Sequence, residues 1–158
     1  MDLYHLIYQS RALGAFGAPE LAALLHRGRA HNQANGISGV LLHTPEGRFL
    51  QVLEGPQTAV RHLYYHVILS DARHFHYQVL GEGSCAQRSF AGWTMGCRVA
   101  RPADLRALLG EAPPDGLGLV HRPYPRSQLL ALLEAFVVQD AAETDLAHPL
   151  DSRPTRHF

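Results

Sequence analysis

The sequence predicts an α+β domain in which two helices cover one face of an antiparallel-rich sheet. Three observations carry this. Stretches with a period of two and stretches with a helical period alternate in the order βαββαββ over the first hundred residues. Turn residues separate them, at Asn35-Gly36, at Pro45-Glu46-Gly47 and at Gly55-Pro56. The length of 158 residues, 46% apolar and 18% charged, suits one domain with a real core and leaves room only for a short extension.

The first strand is LYHLIYQS, with Tyr4, Leu6 and Tyr8 on one face and Leu3, His5 and Ile7 on the other. A Gly-containing loop follows. Pro19 then stands in the first turn of a helix, where its missing N–H costs nothing. That helix runs to about Asn32, and Asn35-Gly36 stops it. GISGVLLHT and RFLQVLEG are two short strands joined across PEG as a hairpin. Pro56 opens a second helix over about 57–70, and HYQVLGEGSC and WTMGCRVA are two further strands. Two βαβ-like units in this order pack both helices on one face, the ferredoxin-like arrangement. After Arg101-Pro102, ADLRALLG is a short helix and EAPPDGLGLVHRPYP a connector rich in Pro and Gly. SQLLALLEAFVVQDAAE is an amphipathic helix with Leu129, Leu132, Leu133, Phe136 and Val137 on one stripe. That stripe needs an apolar partner, either the bare face of the sheet or another subunit.

Charge and composition exclude several function classes. The 14 basic and 14 acidic residues cancel, which argues against a general nucleic-acid binder, and no direct nucleic-acid contact is expected. Every residue of the basic set is Arg. Lysine Schiff-base chemistry and a Walker A phosphate loop are therefore excluded. The 11 His form no HExxH motif, the 2 Cys are too few for a Cys-rich zinc module, and no metal is expected. Cys85 and Cys97 are expected as free thiols in a cytoplasmic protein. The start, MDLYHLIYQS, reads neither as a signal peptide nor as a membrane span.

Polar residues fall where core is expected. Leu21, Leu24, Leu25 and Gly28 make the inner stripe of the first helix, and His31 and Asn32 return to that face at its end. The Asn32 amide either caps the helix C-terminus or contacts a ligand. On the second helix, Val60, Leu63, Tyr64, Val67 and Ile68 face inward and Asp71 follows on the same face. An acid there opposes the helix dipole, so a cation or hydroxyl must offset it. A local Asp71–Arg73 pair is one solution. On the third strand, Gln51 stands between Phe49 and Leu53 on one face and must find partners inside. Tyr8 ends a similar row, and Trp93 and Met95 are expected to share a face of the last strand. Together these residues suggest a pocket between two helices with an apolar floor, suited to a flat, polar-edged heteroaromatic ligand.

LYHLIYQSRA, NQANGISGVLLH, FLQVLEG, DARH and RSFAGWTMG, in that order over about residues 2–100, resemble the successive motifs of the BLUF family, blue-light sensors that use flavin. The resemblance implies FAD held non-covalently between the two helices, with FMN as the alternative. It makes Tyr8 the electron and proton donor and Gln51 the bridge from that Tyr to the flavin edge. Asn32 would hold the flavin carbonyl and imide edge, with His31 along the ring and Ile37 among the contacts. Asp71, Arg73 and His74 match the segment that touches the ring edge and ribityl side, and Trp93 and Met95 the segment that reports the light state. Recombination after light would leave Gln51 rotated or tautomerised and the absorption shifted to the red. Two departures stand out: GISG replaces the usual GITG, and Val67 stands where many relatives carry a cation.

The organisation implied is a photosensory domain over 1–100, a helical extension over 101–145 and a flexible tail over 146–158. The output would be an unknown downstream partner protein or a change in a homo-oligomer, with no enzyme and no membrane involved. A small flavin-dependent oxidoreductase is the alternative, although no GxGxxG fingerprint and no obvious base is present. A hydrolase with a phosphate loop at Ser10-Arg11 and a flavin-free binding module compete less well.

Overall fold

The computed structural model describes residues 3–13, 17–111 and 124–143. Most of the connector and the whole 146–158 tail lie outside the described residues. The elements are β1 (Leu3–Ala12), α1 (Ala18–Asn35), β2 (Ser38–His43), β3 (Arg48–Pro56), α2 (Gln57–His62), β4 (His74–Ser84), β5 (Gly96–Val99), α3 (Pro102–Leu108) and α4 (Arg126–Glu143). α2 runs directly into a π-helical segment, Leu63–Ile68. Such wide turns recur at functional sites.

The sheet order is β4-β1-β3-β2-β5. β3 is antiparallel to both β1 and β2, and β4 is antiparallel to β1, whereas β5 runs parallel to β2. β1 and β2 are therefore parallel with β3 inserted between them, the split βαβ unit expected of the ferredoxin-like order. Local chemistry places the first helix. Pro19 lies in its first turn and the Glu20 carboxylate accepts from the Gly17 N–H at 3.0 Å. Gly36 ends it in the left-handed region at φ 69°, which glycine adopts without a Cβ penalty.

The two faces of the sheet are covered differently. On one face α1 and α2 pack as two separate clusters. Leu21 and Leu25 of α1 sit over Leu41, Phe49, Met95 and Cys97. Val60, Leu63 and Tyr64 sit over Tyr4, Leu6, Tyr8 and Leu53. On the opposite face Ile7, Val40, Leu42, Leu50 and Val52 are covered by Leu105, Leu108 and Leu109 with Leu129, Leu133 and Val137. The stripe of α4 thus takes the bare face of the sheet, one of the two partners open to it. Leu132 and Phe136 lie at the margin of that contact, only partly buried.

Two boundaries differ from the sequence reading. β4 starts at His74, two residues before HYQV, because its first residues extend the ladder to Arg11 and Ala12. β5 starts only at Gly96, so Trp93 and Met95 precede the strand.

Candidate functional site

Along β3, the inner face reads Phe49, Gln51, Leu53. Phe49 belongs to the α1 cluster and Leu53 to the α2 cluster. Gln51 lies between them, under the gap where the two helices do not meet. That gap is a cleft of about 650 Å³. The polar residue in the apolar row is thus the floor of the cleft.

Register sets its neighbours. Tyr8 on β1 and Leu41 on β2 stand directly opposite Gln51. The Tyr8 hydroxyl donates to Gln51 Oε1. Gln51 Nε2 points to Met95 Sδ at 2.8 Å, a weak acceptor. Both Tyr8 and Gln51 are buried. Burial pushes the Tyr8 phenol well above its ordinary value, so it holds its proton at neutral pH. Tyr64 and Tyr77 pack beside it, with ring centroids 4.9 and 6.2 Å away. Burial raises each of these two phenols to about 12. The Tyr77 hydroxyl donates to the Asp71 carbonyl at 3.1 Å.

α1 supplies one wall. Asn32 is fully buried, and its Nδ2 donates to the Thr94 carbonyl at 2.6 Å. The amide therefore does not cap α1. The backbone carbonyl of Asn32 closes the helix by accepting from Gly36 and Ile37. Asn32 Oδ1 has no hydrogen-bond partner among the described residues. His31 lines the same wall, as do Leu24, Gly28 and Arg27.

The opposite wall comes from the π-helical segment and the turn after it. Leu63, Val67 and Ile68 line it, with Asp71, Arg73 and His74 beyond. Asp71 and Arg73 form the local pair, through Nη2 at 2.6 Å and Nε at 2.9 Å, and the Arg73 N–H also donates to Asp71 Oδ1 at 3.0 Å. These bonds hold the Asp71 carboxyl at about 2. Burial pushes the His74 imidazole below its ordinary value, and Phe49 meets it edge-on at 4.8 Å.

The structure brings Tyr8, His31, Asn32, Gln51, Asp71, Arg73, His74 and Met95 to one cleft. Two residues named from the sequence fall elsewhere. Ile37 is buried in the α2 cluster with Tyr4 and Leu53. Trp93 lies on the other face of the sheet, against Phe90 and the α3–α4 cluster. Its ring covers the bare backbone of Gly96, where a Cβ would collide with it. Trp93 and Met95 do not share a face, because residues 93–95 form a bend, and alternation holds only in extended chain. Three cleft residues escape the sequence reading altogether, Arg27, Leu41 and Tyr77, and Ser10 is named there only for a phosphate loop.

A family model described as "Sensors of blue-light using FAD" matches residues 3–96. The chain belongs to the BLUF family. The domains of that family sense blue light and bind flavin. It is similar to photoactivated adenylate cyclase subunit beta of Euglena gracilis, 39% identical over 69 residues that cover 44% of this chain and 8% of that protein. The related subunit beta-like protein FB of the same organism is 39% identical over 62 residues, 39% of this chain and 7% of that one. The chain thus spans under a tenth of the length of these relatives. Among solved structures, BlrB, a BLUF protein in its dark state, matches with a TM-score of 0.64 and 26% identity over 88% of this chain and 97% of that one. Klebsiella pneumoniae BlrP1 with FMN and cyclic diGMP matches at 0.60 and 30% over 90% of this chain and 36% of that one.

The residues present fit a flavin. Asn32 Oδ1 is a buried acceptor without a donor, and an imide N–H is the kind of group that satisfies it. Gln51 Nε2 faces only a thioether and can donate to a carbonyl. Leu24, Phe49, Leu63 and Ile68 supply apolar walls for a flat ring.

Proposed function

We propose that this BLUF protein holds FAD in the cleft between α1 and the π-helical segment and signals without chemistry of its own, through a separate protein or through assembly of its own copies. Residues 1–100 form the sensor, and 101–145 the helical extension that passes on the signal. The two free thiols suit a reducing cytoplasm, and no described helix is long and apolar enough to cross a membrane. The observation that carries the proposal is the buried chain Tyr8–Gln51–Met95 on the cleft floor.

The flavin supplies blue-light absorption and an oxidising excited state. Tyr8 would give its electron to the excited flavin, and its phenolic proton has a path along the existing bond to Gln51 Oε1. Gln51, whose amide can both donate and accept and can turn about its last bond, can be held in a second arrangement, rotated, tautomerised or both. Its Nε2 leaves the Met95 sulfur, a partner whose loss costs little. The result is a switch between two hydrogen-bond arrangements, not turnover. Asn32 and His31 would hold one edge of the ring, and Asp71 pairs with Arg73 on the other wall. The test is a difference spectrum of the purified protein before and after blue light. A reversible red shift is expected, and a yellow protein without one overturns the proposal.

Asn32→Ala is expected to weaken flavin binding more than Val67→Ala does. Asn32 offers a buried acceptor, worth about 1–3 kcal/mol when its bond is lost. Val67 is 44% exposed and offers contact area only. The readout is the flavin-to-protein ratio after purification, and equal ratios would count against the pocket.

FAD and FMN carry a phosphate that riboflavin lacks, and Arg27 is a cation of the cleft lining that would attract it. Asp71 neutralises Arg73, whereas Arg27 lines the cleft exposed and makes no ion pair with a described residue. Arg27→Gln is expected to weaken FAD and FMN by about two- to fivefold, the value of an exposed ion pair, while riboflavin is unaffected. Titration of the apo-protein by flavin fluorescence separates the three ligands. An equal loss for riboflavin would assign Arg27 to the fold.

A further inference from the structure

Glu54 is a fully buried carboxylate at the end of an otherwise apolar row, Leu50, Val52, Glu54, on the α3–α4 face of β3. It lines no part of the cleft. Its Oε2 accepts from the Ser89 N–H at 2.7 Å, and its Oε1 accepts from the Phe90 N–H at 2.8 Å and the Ser38 hydroxyl at 3.3 Å. Arg88 braces the same point, donating to Ser38 Oγ, to the Glu54 carbonyl and to the Gly36 carbonyl at 2.8, 3.2 and 2.7 Å. A buried charge persists only with such a complete set of donors.

What it grips is the start of the segment that crosses the sheet edge. Phe90 and Trp93 pack on the α3–α4 face, and Met95, two residues on, lies in the cleft against Gln51. The Trp93 N–H donates to the Phe90 carbonyl at 3.1 Å, so the two aromatic residues are one unit. Beyond them, Gly39 N–H donates to the Trp93 carbonyl at 2.9 Å, Asn32 to the Thr94 carbonyl at 2.6 Å and Arg29 to the Met95 carbonyl at 3.0 Å. The segment is short, the carbonyls of Trp93, Thr94 and Met95 are each held, and its start is fixed by the carboxylate of Glu54.

We propose that Glu54 is the pivot of this lever: by fixing the turn at Ser89–Phe90 it makes Met95 in the cleft and Trp93 on the far face move as one piece. This rests on the photoreceptor reading above. Glu54 is a positioning residue, since it reaches the flavin site only through the chain it holds. An amide in its place offers one acceptor oxygen to three donors and leaves the turn loose. The cleft floor, Tyr8 and Gln51, is untouched.

The experiment uses the full chain. Trp93 is its single tryptophan, so tryptophan fluorescence reports that residue alone. The quantity read is the light-induced change in Trp93 fluorescence divided by the size of the flavin red shift. In Glu54→Gln the red shift is expected to persist and the ratio to fall below about half of wild type, because one of two backbone donors loses its acceptor. A ratio equal to wild type overturns the pivot, and so does parallel loss of both signals, which would place Glu54 in the cleft chemistry or the fold. If Glu54→Gln does not fold, Glu54→Asp, which keeps the carboxylate and shortens its reach to the Ser89 and Phe90 N–H groups, is read by the same ratio. A lowered ratio there supports the pivot and an unchanged one overturns it. No red shift in the wild-type protein overturns the photoreceptor reading, a result distinct from a normal wild-type shift with an unaltered ratio in the variants.

Discussion

Tyr8→Phe is expected to keep its flavin and lose the photocycle. The ring contact to Tyr64 at 4.9 Å survives, so the wall of the cleft stays in place. What disappears is the hydroxyl that donates to Gln51 Oε1, and with it both the transferable proton and the fixed orientation of the amide. The amide oxygen is left buried without its donor, at a cost of about 1–3 kcal/mol. Tyr77 cannot substitute in place, because its hydroxyl is committed to the Asp71 carbonyl. Flavin fluorescence rises because the quenching donor is gone, and the red shift in the difference spectrum vanishes. A normal red shift in Tyr8→Phe would move the donor role to Tyr64 or Tyr77.

Gln51→Leu is expected to bind flavin, to quench its fluorescence through Tyr8, and yet to hold no lasting red shift. A memory of light needs a group with two hydrogen-bonded states of similar energy. A primary amide has them, because it can both donate and accept and can turn about its last bond. Leucine has comparable bulk and neither capacity. The Tyr8 hydroxyl then loses its acceptor, and stability falls by about 1–3 kcal/mol. The sulfur of Met95 loses only a weak contact. The light-induced change in Trp93 fluorescence should vanish along with the red shift, because nothing on the cleft floor moves Met95. A stable red-shifted state in Gln51→Leu would place the memory elsewhere and remove the mechanism proposed above.

Both predictions rest on residues that stand out in the sequence alone. Tyr8 ends a period-two row, and Gln51 interrupts another, and each anomaly is contained within a few residues of strand. Asp71 is legible as a residue in need of a cation, and the cation is Arg73, two residues away. Asn32 is legible as an inward amide, but its partner is not, because the Thr94 carbonyl is 62 residues distant. Ile37 enters only through the family resemblance. In the fold it packs under α2 and away from the cleft. Glu54 escapes the sequence reading, although a charge closing the row Leu50, Val52 is the same kind of anomaly as Gln51.

By itself the sequence determined the order of elements, which residues share a face on β1 and β3, the stops of α1 and the two polar residues that form the floor of the site. These follow from periods of 2 and 3.6 and from glycine and proline chemistry, all of which act within about ten residues. Only the tertiary structure decided that the two helices leave a gap above Gln51, that α4 takes the far face of the sheet, and that the bend at 93–95 sends Trp93 and Met95 to opposite faces. That bend has no local period. Its carbonyls are satisfied by Gly39, Asn32 and Arg29, and the turn before it by Glu54, all more than thirty residues away along the chain. A segment whose backbone is paired from a distance takes its direction from those partners, and they assemble only when the sheet does.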